Sequence, residues 1–131
     1  MKICVTAVSG SLDAQIDPRF GRCSYFLIVD SETMEFEAVS NIAAGSMSGA
    51  GIQAAQMVAS KGARVVLTGN IGPNAFQALS AAGIKAVTGA FGNVEEVIEK
   101  YKRGELKETS SPTVRGHFGM RKGRGRGRRQ S

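Results

Sequence analysis

The sequence predicts a mixed α/β domain in which a five-stranded sheet is flanked by three helices. Two observations support this fold class. The stretches "KICVTAV" and "SYFLIVD" are almost unbroken apolar runs, which is typical of strands that are covered on both faces. Beyond residue 50, apolar strands alternate with helical patterns, as in parallel strands joined by helical crossovers. The chain therefore opens with antiparallel strands and continues with parallel ones.

The first half of the chain provides the antiparallel strands. "KICVTAV" is predicted to be the central strand and "SYFLIVD" its neighbour. "DSETMEFEAVS" contains a polar turn and then an alternating stretch, which predicts a hairpin partner for the second strand. A helix is expected from about Gly51 to Lys61, with Ile52, Ala55 and Ala59 on its inward face.

The remaining elements alternate strictly. Pro73 is expected in the first turn of the second helix, and Gly83 lies just past the end of that helix. Asn93 and Glu96 have the spacing of a capping box at the start of the last helix, which Gly104 ends. The predicted elements are a strand in "ARVVLTG", a helix in "GPNAFQALSAAG", a strand in "IKAVTG" and a helix from residue 93.

Composition limits the class of protein. The 131 residues are 42% apolar without a long hydrophobic run, which predicts one globular domain. The stretch "MKICVTAVSG" lacks the apolar core and cleavage site of a secretory signal, so we expect a cytoplasmic protein. The spacing of Cys4 and Cys23 matches no zinc pattern, and both are expected to be free thiols.

Charge is concentrated at the C-terminal end. Seven of the seventeen Lys and Arg residues follow Val114, and no acidic residue accompanies them. We therefore predict a domain over residues 1–111 and a disordered Arg/Gly-rich tail over 112–131. Such a tail either attracts anions or binds single-stranded nucleic acid weakly. The candidate nucleic-acid contacts are Arg121, Lys122, Arg124, Arg126, Arg128 and Arg129.

Three loops are expected at the carboxyl-end edge of the parallel strands, where ligands bind in such sheets. They are residues 8–23, "AAGSMSGAG" and "TGNIGPNA". Neither glycine-rich stretch fits the dinucleotide fingerprint or the P-loop. What remains is an anion cradle of backbone N–H groups, to which arginine and asparagine side chains add donors.

Three motifs together resemble the dinitrogenase iron-molybdenum cofactor biosynthesis family, which includes NifX-like and NafY-like carriers and the C-terminal domain of NifB. They are "DPRFGRCSYFLIVD", "GAGIQAA" and "TGNIGPNAFQALSAAGIKAV", in order across residues 1–103. The resemblance implies a ribonuclease H-like fold, an iron-sulfur or iron-molybdenum type cofactor or its precursor as ligand, and metal-cluster assembly proteins as partners. The candidate cofactor-binding residues are Asp17, Arg19, Phe20, Gly21, Arg22, Cys23, Gly49, Gly51, Gly69, Asn70, Gly72 and Asn74.

Alternatives remain open for the reactive side chains. Cys23 either lies at the mouth of its loop as a metal-binding thiolate, with a pKa lowered by neighbouring arginines, or fills space beneath the loop. Arg19 and Arg22 either bind an anion or pair with nearby aspartates. His117 is the only histidine and lies in the tail, so the folded part lacks a base for a cysteine enzyme. A nuclease is rejected because the first strand has no acid. We therefore predict a non-catalytic binding module, a monomer or weak homodimer.

Overall fold

A computed structural model describes residues 1–42, 44–45 and 49–114 of the chain. The predicted fold class is confirmed: three helices flank a five-stranded sheet of strand order β3-β2-β1-β4-β5. The ribonuclease H-like assignment stays a prediction. The elements are β1 (Lys2–Ala7), β2 (Tyr25–Asp30), β3 (Phe36–Ser40), α1 (Ala50–Ser60), β4 (Val65–Leu67), α2 (Pro73–Ala81), β5 (Lys85–Val87) and α3 (Val94–Lys102).

Strand β1 lies at the centre of the sheet. It pairs antiparallel with β2 on one side and parallel with β4 on the other, while β3 extends the antiparallel half and β5 the parallel half. Five of its six residues are buried, because helices or loops cover both faces of the sheet. The carboxyl ends of β1, β4 and β5 therefore share one edge of the sheet, which we call the rim.

Side chains of the central strands alternate between two cores. Cys4, Phe26 and Val66 face α1 and α2, whereas Ile3 and Val5 face α3 and the loop after β1. This alternation follows from the two-residue period of a strand, which sends neighbouring side chains to opposite faces. Cys4 is fully buried in the first of these cores, where it packs as a small apolar side chain.

The helix boundaries follow local sequence signals. Asn93 and Glu96 form the predicted capping box, in which the Asn93 side chain accepts from the Glu96 N–H at 2.8 Å. The inward face predicted for α1 is wrong for Ile52, which is 39% exposed, and for Ala59. The inward residues are Ala50, Ala54, Ala55 and Val58. Close packing of Gly51 against Ala75 of α2 explains this rotation, because a Cβ at Gly51 would lie 3.0 Å from the Ala75 Cβ.

After α3, the chain returns to the rim along the outer edge of β5. The Thr109 N–H donates to the Ala86 carbonyl at 2.7 Å, and the Thr113 N–H donates to the Ile71 carbonyl at 2.9 Å. Hydrogen bonds to the domain therefore continue to Val114, three residues beyond the predicted boundary at 111. The sequence gives little sign of this, because polar threonines make the contacts. The predictions for residues 115–131, including disorder and nucleic-acid contacts, lie outside the described residues.

None of the helices in the described part of the chain is long and apolar enough to span a bilayer.

Candidate functional site

The loop after β1 and the turn after β4 meet at the rim. The Asn70 N–H donates to the Pro18 carbonyl at 2.7 Å, and the Phe20 N–H donates to the Asn70 carbonyl at 3.4 Å. Arg19 and Asn70 thereby form an isolated parallel bridge. The two backbones can approach this closely because residue 69 is glycine: a Cβ there would lie 2.7 Å from the Pro18 Cα.

The start of α1 packs against the same loop. A Cβ on Gly21 would lie 3.1 Å from both the Cα and the backbone nitrogen of Gly51. Gly51 in turn approaches Ala75 in the first turn of α2. The structure thus brings together three predicted segments: residues 17–23, the glycine pair at 49 and 51, and the turn at 69–74.

Two helices begin at this junction without a side-chain cap. The N-cap residues are Gly49 for α1, which has a left-handed φ of 77°, and Gly72 for α2, and neither makes a side-chain capping bond. The first N–H groups of a helix have no partner within it and carry a partial positive charge. Asn70 and Asn74 are exposed beside the second of these N-termini. The rim therefore presents mainly hydrogen-bond donors.

Asp17 holds Arg19 in place. The Asp17 side chain is only 4% exposed and accepts from the Arg19 backbone N–H at 3.1 Å and from the guanidinium Nε and Nη2, each at 3.2 Å. This hydrogen bonding raises the pKa of the Arg19 guanidinium, whose side chain stays 64% exposed. Arg19 therefore pairs with an aspartate, as one alternative predicted, and its side chain is still exposed to solvent, as anion binding requires. The Asp17 carboxylate also offsets the charge of Arg19, so the rim is less positive than the charges of Arg19 and Arg22 alone would make it.

Two threonines that the sequence analysis missed support Asp17 from below. The Thr6 hydroxyl donates to the Asp17 carbonyl at 2.6 Å and lies 2.8 Å from the Thr68 hydroxyl, and both threonines are fully buried. The Asp17 N–H donates back to the Thr6 carbonyl at 3.0 Å. Threonine in an apolar strand looks like an ordinary β-former, so the sequence carries no signal for this role.

Asn41 and Arg22 connect the loop after β3 to the same junction. The Asn41 side-chain amide donates to the carbonyls of Gly21 at 3.1 Å and Cys23 at 2.8 Å. The exposed Arg22 donates through Nη1 to the Ala44 carbonyl at 2.7 Å. These bonds join segments about twenty residues apart, and the sequence analysis did not identify Asn41.

Cys23 does not lie at the mouth of the loop, so the first of its two alternatives is wrong; the residue fills space beneath the loop. Its side chain is fully buried, and its thiol donates to the Phe20 carbonyl, with the sulfur 3.3 Å away. Burial, reinforced by the nearby Asp17 charge, raises the pKa of the thiol to about 12, whereas the metal-binding alternative predicted a lowered pKa. Phe20 is also buried and packs edge-on against Phe26, with ring centroids 5.7 Å apart. Both side chains form the floor of the loop.

We expect both cysteines to resist iodoacetamide in the folded protein at pH 8. With a pKa of about 12, Cys23 would be thiolate in on the order of one molecule in 10,000 at that pH, and Cys4 is fully buried with its pKa also raised. Mass spectrometry should show both thiols alkylated only after unfolding in guanidinium. Rapid alkylation of Cys23 in the folded protein would contradict the buried position.

The described residues contain no group of three or more His, Cys, Asp or Glu side chains placed to hold a metal ion. A cleft of about 140 Å³ opens beside the junction, lined by Phe26, Ser40, Asn41, Ile42, Gln53, Ala54 and Met57. None of the predicted site residues lines this cleft. Ile42 at its edge is 96% exposed. The rim thus combines backbone and guanidinium donors with a neighbouring apolar surface.

Comparison with known proteins defines the class. The sequence profile described as dinitrogenase iron-molybdenum cofactor matches residues 1–104. The apo orange protein of Desulfovibrio gigas superposes with a TM-score of 0.84 at 43% identity, covering 86% of this chain and 95% of that one. A Thermotoga protein of the DUF35 family, named as a candidate NifB protein, gives a TM-score of 0.76 at 33% identity over 86% of this chain and 96% of its own.

An uncharacterized protein of Methanocaldococcus jannaschii is 31% identical over 97 residues, which are 72% of this chain and 82% of that protein. The fold and these matches place the chain among small mixed α/β domains related to dinitrogenase cofactor proteins. The chain belongs to the dinitrogenase iron-molybdenum cofactor family, as its motifs predicted.

Proposed function

We propose that this protein is a non-catalytic carrier that binds a preassembled anionic metal-sulfur cluster, of iron-sulfur or iron-molybdenum type, at the rim. The observation that carries the proposal is the junction itself. Gly21 against Gly51 and Gly69 against Pro18 bring Arg19 and the starts of two helices to one place. Helix N-termini and arginine are suited to anions, and the family is named for an iron-molybdenum cofactor.

The donor set favours a cluster that brings its own ligands. Cys4 and Cys23 are buried and their thiol pKa values are raised, so neither offers a thiolate at the surface in this conformation. Backbone N–H groups and guanidinium groups cannot ligate a bare iron ion, but they donate to the sulfides of a cluster that already exists. Cys23 thus acts in the proposal by supporting the loop that carries Arg19.

The reactive side chains of the described residues favour a carrier over an enzyme. The described residues include no histidine, and the thiol nearest the rim is protonated near neutral pH. A carrier needs neither group. In this proposal the cluster is received from and passed to metal-cluster assembly proteins in the cytoplasm.

Replacing Arg19 with glutamine is expected to weaken binding of tetrathiomolybdate about five-fold. Tetrathiomolybdate is a coloured molybdenum-sulfur dianion, and one exposed charge-assisted contact is worth about 1 kcal/mol. Anaerobic titration followed by visible absorption measures the dissociation constant. Molybdate, which has oxygen in place of sulfur, tests whether the sulfide surface matters.

Arg103→Gln is the matched control. Arg103 is 55% exposed and pairs with Glu105 two residues away, much as Arg19 pairs with Asp17. Its chain neighbours Lys102 and Gly104 lie near Met1 at the start of β1, far from the rim. If both substitutions weaken tetrathiomolybdate binding equally, the effect arises from the overall charge of the protein and not from the position of Arg19. The carrier function would be refuted if the unmodified protein binds neither tetrathiomolybdate nor a cluster reconstituted from iron and sulfide. If Cys23→Ser keeps the fold but loses binding, Cys23 is a ligand of the cluster after all.

A further inference from the structure

The segment after α3 returns to the rim and is attached there to a single residue. We call residues 105–114 the strap. The Ile71 N–H donates to the Thr113 hydroxyl at 2.7 Å, and that hydroxyl donates to the Ile71 carbonyl at 3.2 Å. The N–H groups of Thr113 and Val114 also donate to the Ile71 carbonyl, at 2.9 and 3.2 Å. These hydrogen bonds, which we call the Thr113 anchor, join the strap to the turn between β4 and α2.

Ile71 lies between the two parts of the rim that the proposed carrier function uses. Asn70, the residue before it, forms the bridge to Arg19, and Gly72, the residue after it, is the N-cap of α2. Ile71 is itself buried in the core, so the core holds its side chain while the strap holds its backbone. A shift of the Ile71 backbone would change the distance between Arg19 and the start of α2.

The start of α2 has little to fix it locally. Gly72 makes no side-chain capping bond, and Pro73, the first helical residue, has no N–H to donate. A capping side chain at residue 72 would accept from N–H groups of the first helical turn. Thr113 instead accepts from Ile71, before the helix begins. The anchor therefore fixes the turn and leaves the N–H groups of the first helical turn for a ligand.

From this we infer that Thr113 is a positioning residue of the rim, which holds the start of α2 at a fixed spacing from Arg19 and so makes anion binding selective for size. The inference rests on the proposed carrier function. Thr113 acts through Ile71 and not by contact with the ligand, because its hydroxyl both accepts from and donates to that residue. The strap lies beyond residues 1–104, over which the chain matches its family.

Donors at a fixed spacing distinguish anions by size, whereas donors that can move adapt to several anions. Tetrathiomolybdate and molybdate have the same charge and the same tetrahedral shape, but molybdate is the smaller of the two. Loss of the Thr113 anchor should therefore reduce the preference for tetrathiomolybdate over molybdate. Partial unfolding would instead lower the affinity for both anions by the same factor.

The test compares Thr113→Val, Thr113→Ser and Thr109→Val in the full-length chain. Valine keeps the side-chain shape but removes the hydroxyl, and serine keeps the hydroxyl. Thr109 is the matched control because its hydroxyl accepts from the Thr88 N–H at 2.9 Å, a similar bond on the same strap. Thr88 follows β5 and belongs to none of the three segments of the candidate site.

Visible absorption gives the dissociation constant of tetrathiomolybdate, and competition gives that of molybdate, both well below the Tm of each variant. We expect Thr113→Val to weaken tetrathiomolybdate binding about five-fold and molybdate binding less, so that the preference falls about three-fold. Thr113→Ser and Thr109→Val should keep the preference of the unmodified protein. Amide hydrogen exchange tests the anchor without a ligand, and the Ile71 N–H should exchange about ten-fold faster in Thr113→Val.

The outcomes separate this inference from the carrier function. If the Ile71 N–H exchanges equally fast in the unmodified protein and in Thr113→Val, the anchor does not exist and the inference is overturned. An unchanged preference in Thr113→Val, or an equal fall in Thr109→Val, also overturns it, and in each of these cases the carrier function stands. If the unmodified protein binds neither anion nor a reconstituted cluster, the carrier function and the positioning role both fail, even where Ile71 is protected from exchange.

Discussion

Gly69→Ala is expected to lower the free energy of unfolding by about 2–3 kcal/mol, because it forces extra volume into a closed backbone contact. The new Cβ would lie 2.7 Å from both Cα and Cβ of Pro18 and 3.0 Å from its carbonyl oxygen. Backbone and a proline ring cannot yield as a flexible side chain does. The loop after β1 must separate from the turn after β4, which breaks the 2.7 Å bond from the Asn70 N–H to the Pro18 carbonyl.

Thermal unfolding followed by circular dichroism measures this effect, and a loss of this size corresponds to a fall of about 10–20 °C in Tm. Gly45→Ala is the control, since a Cβ there would meet no atom within 4 Å. The same separation of loops removes Arg19 from the helix N-termini, so tetrathiomolybdate binding should weaken together with stability. A Gly69→Ala variant as stable as the control would show that the two backbones are not in contact.

Asp17→Asn is expected to destabilise the fold by about 2 kcal/mol. The Asp17 carboxylate is nearly buried and accepts three donors of Arg19. Asparagine keeps the shape but turns one acceptor into a donor that faces the donors of Arg19, so a buried polar group loses its partner. Chemical denaturation gives the change in free energy.

Glu105→Gln is the matched control for Asp17→Asn. Glu105 also pairs with an arginine two residues away, but it is 50% exposed, and solvent screens such surface pairs so that they contribute little to stability. We expect the control to change the free energy of unfolding much less than Asp17→Asn. Equal effects of the two substitutions would mean that Asp17 is an ordinary surface partner and does not hold Arg19 in a fixed orientation.

Most of the fold follows from the sequence because its signals are local. Two-sided apolar runs indicate β1 and β2, and the Asn93 and Glu96 spacing indicates the start of α3, each from neighbouring residues. The orientation of Ile52 is different, since it depends on how closely α1 approaches α2 at Gly51. A helical pattern in an alanine-rich helix does not determine which small residues face inward.

The sequence predicts where the candidate site lies but not which contacts form it. The carboxyl-end rule locates the loops, and the structure brings them together. Arginine and glycine neighbours suggested a surface position for Cys23, yet side-chain direction in a loop depends on the core beneath it. Cys23 points inward with Phe20, three residues earlier. The contacts of Thr6 with Thr68, and of Thr113 with Ile71, join residues 62 and 42 positions apart, so no local pattern indicates them.

The central position of β1 affects the order in which the sheet is completed. Its antiparallel neighbour follows after a single loop, but its parallel neighbour β4 brings a partner residue 62 positions away. During synthesis from the N-terminus, the three antiparallel strands emerge first, and both apolar faces of this half-sheet stay uncovered until the helices are made. Closing such distant pairings costs loop entropy before any contact repays it, so docking of the β4–β5 half is the expected slow step of folding.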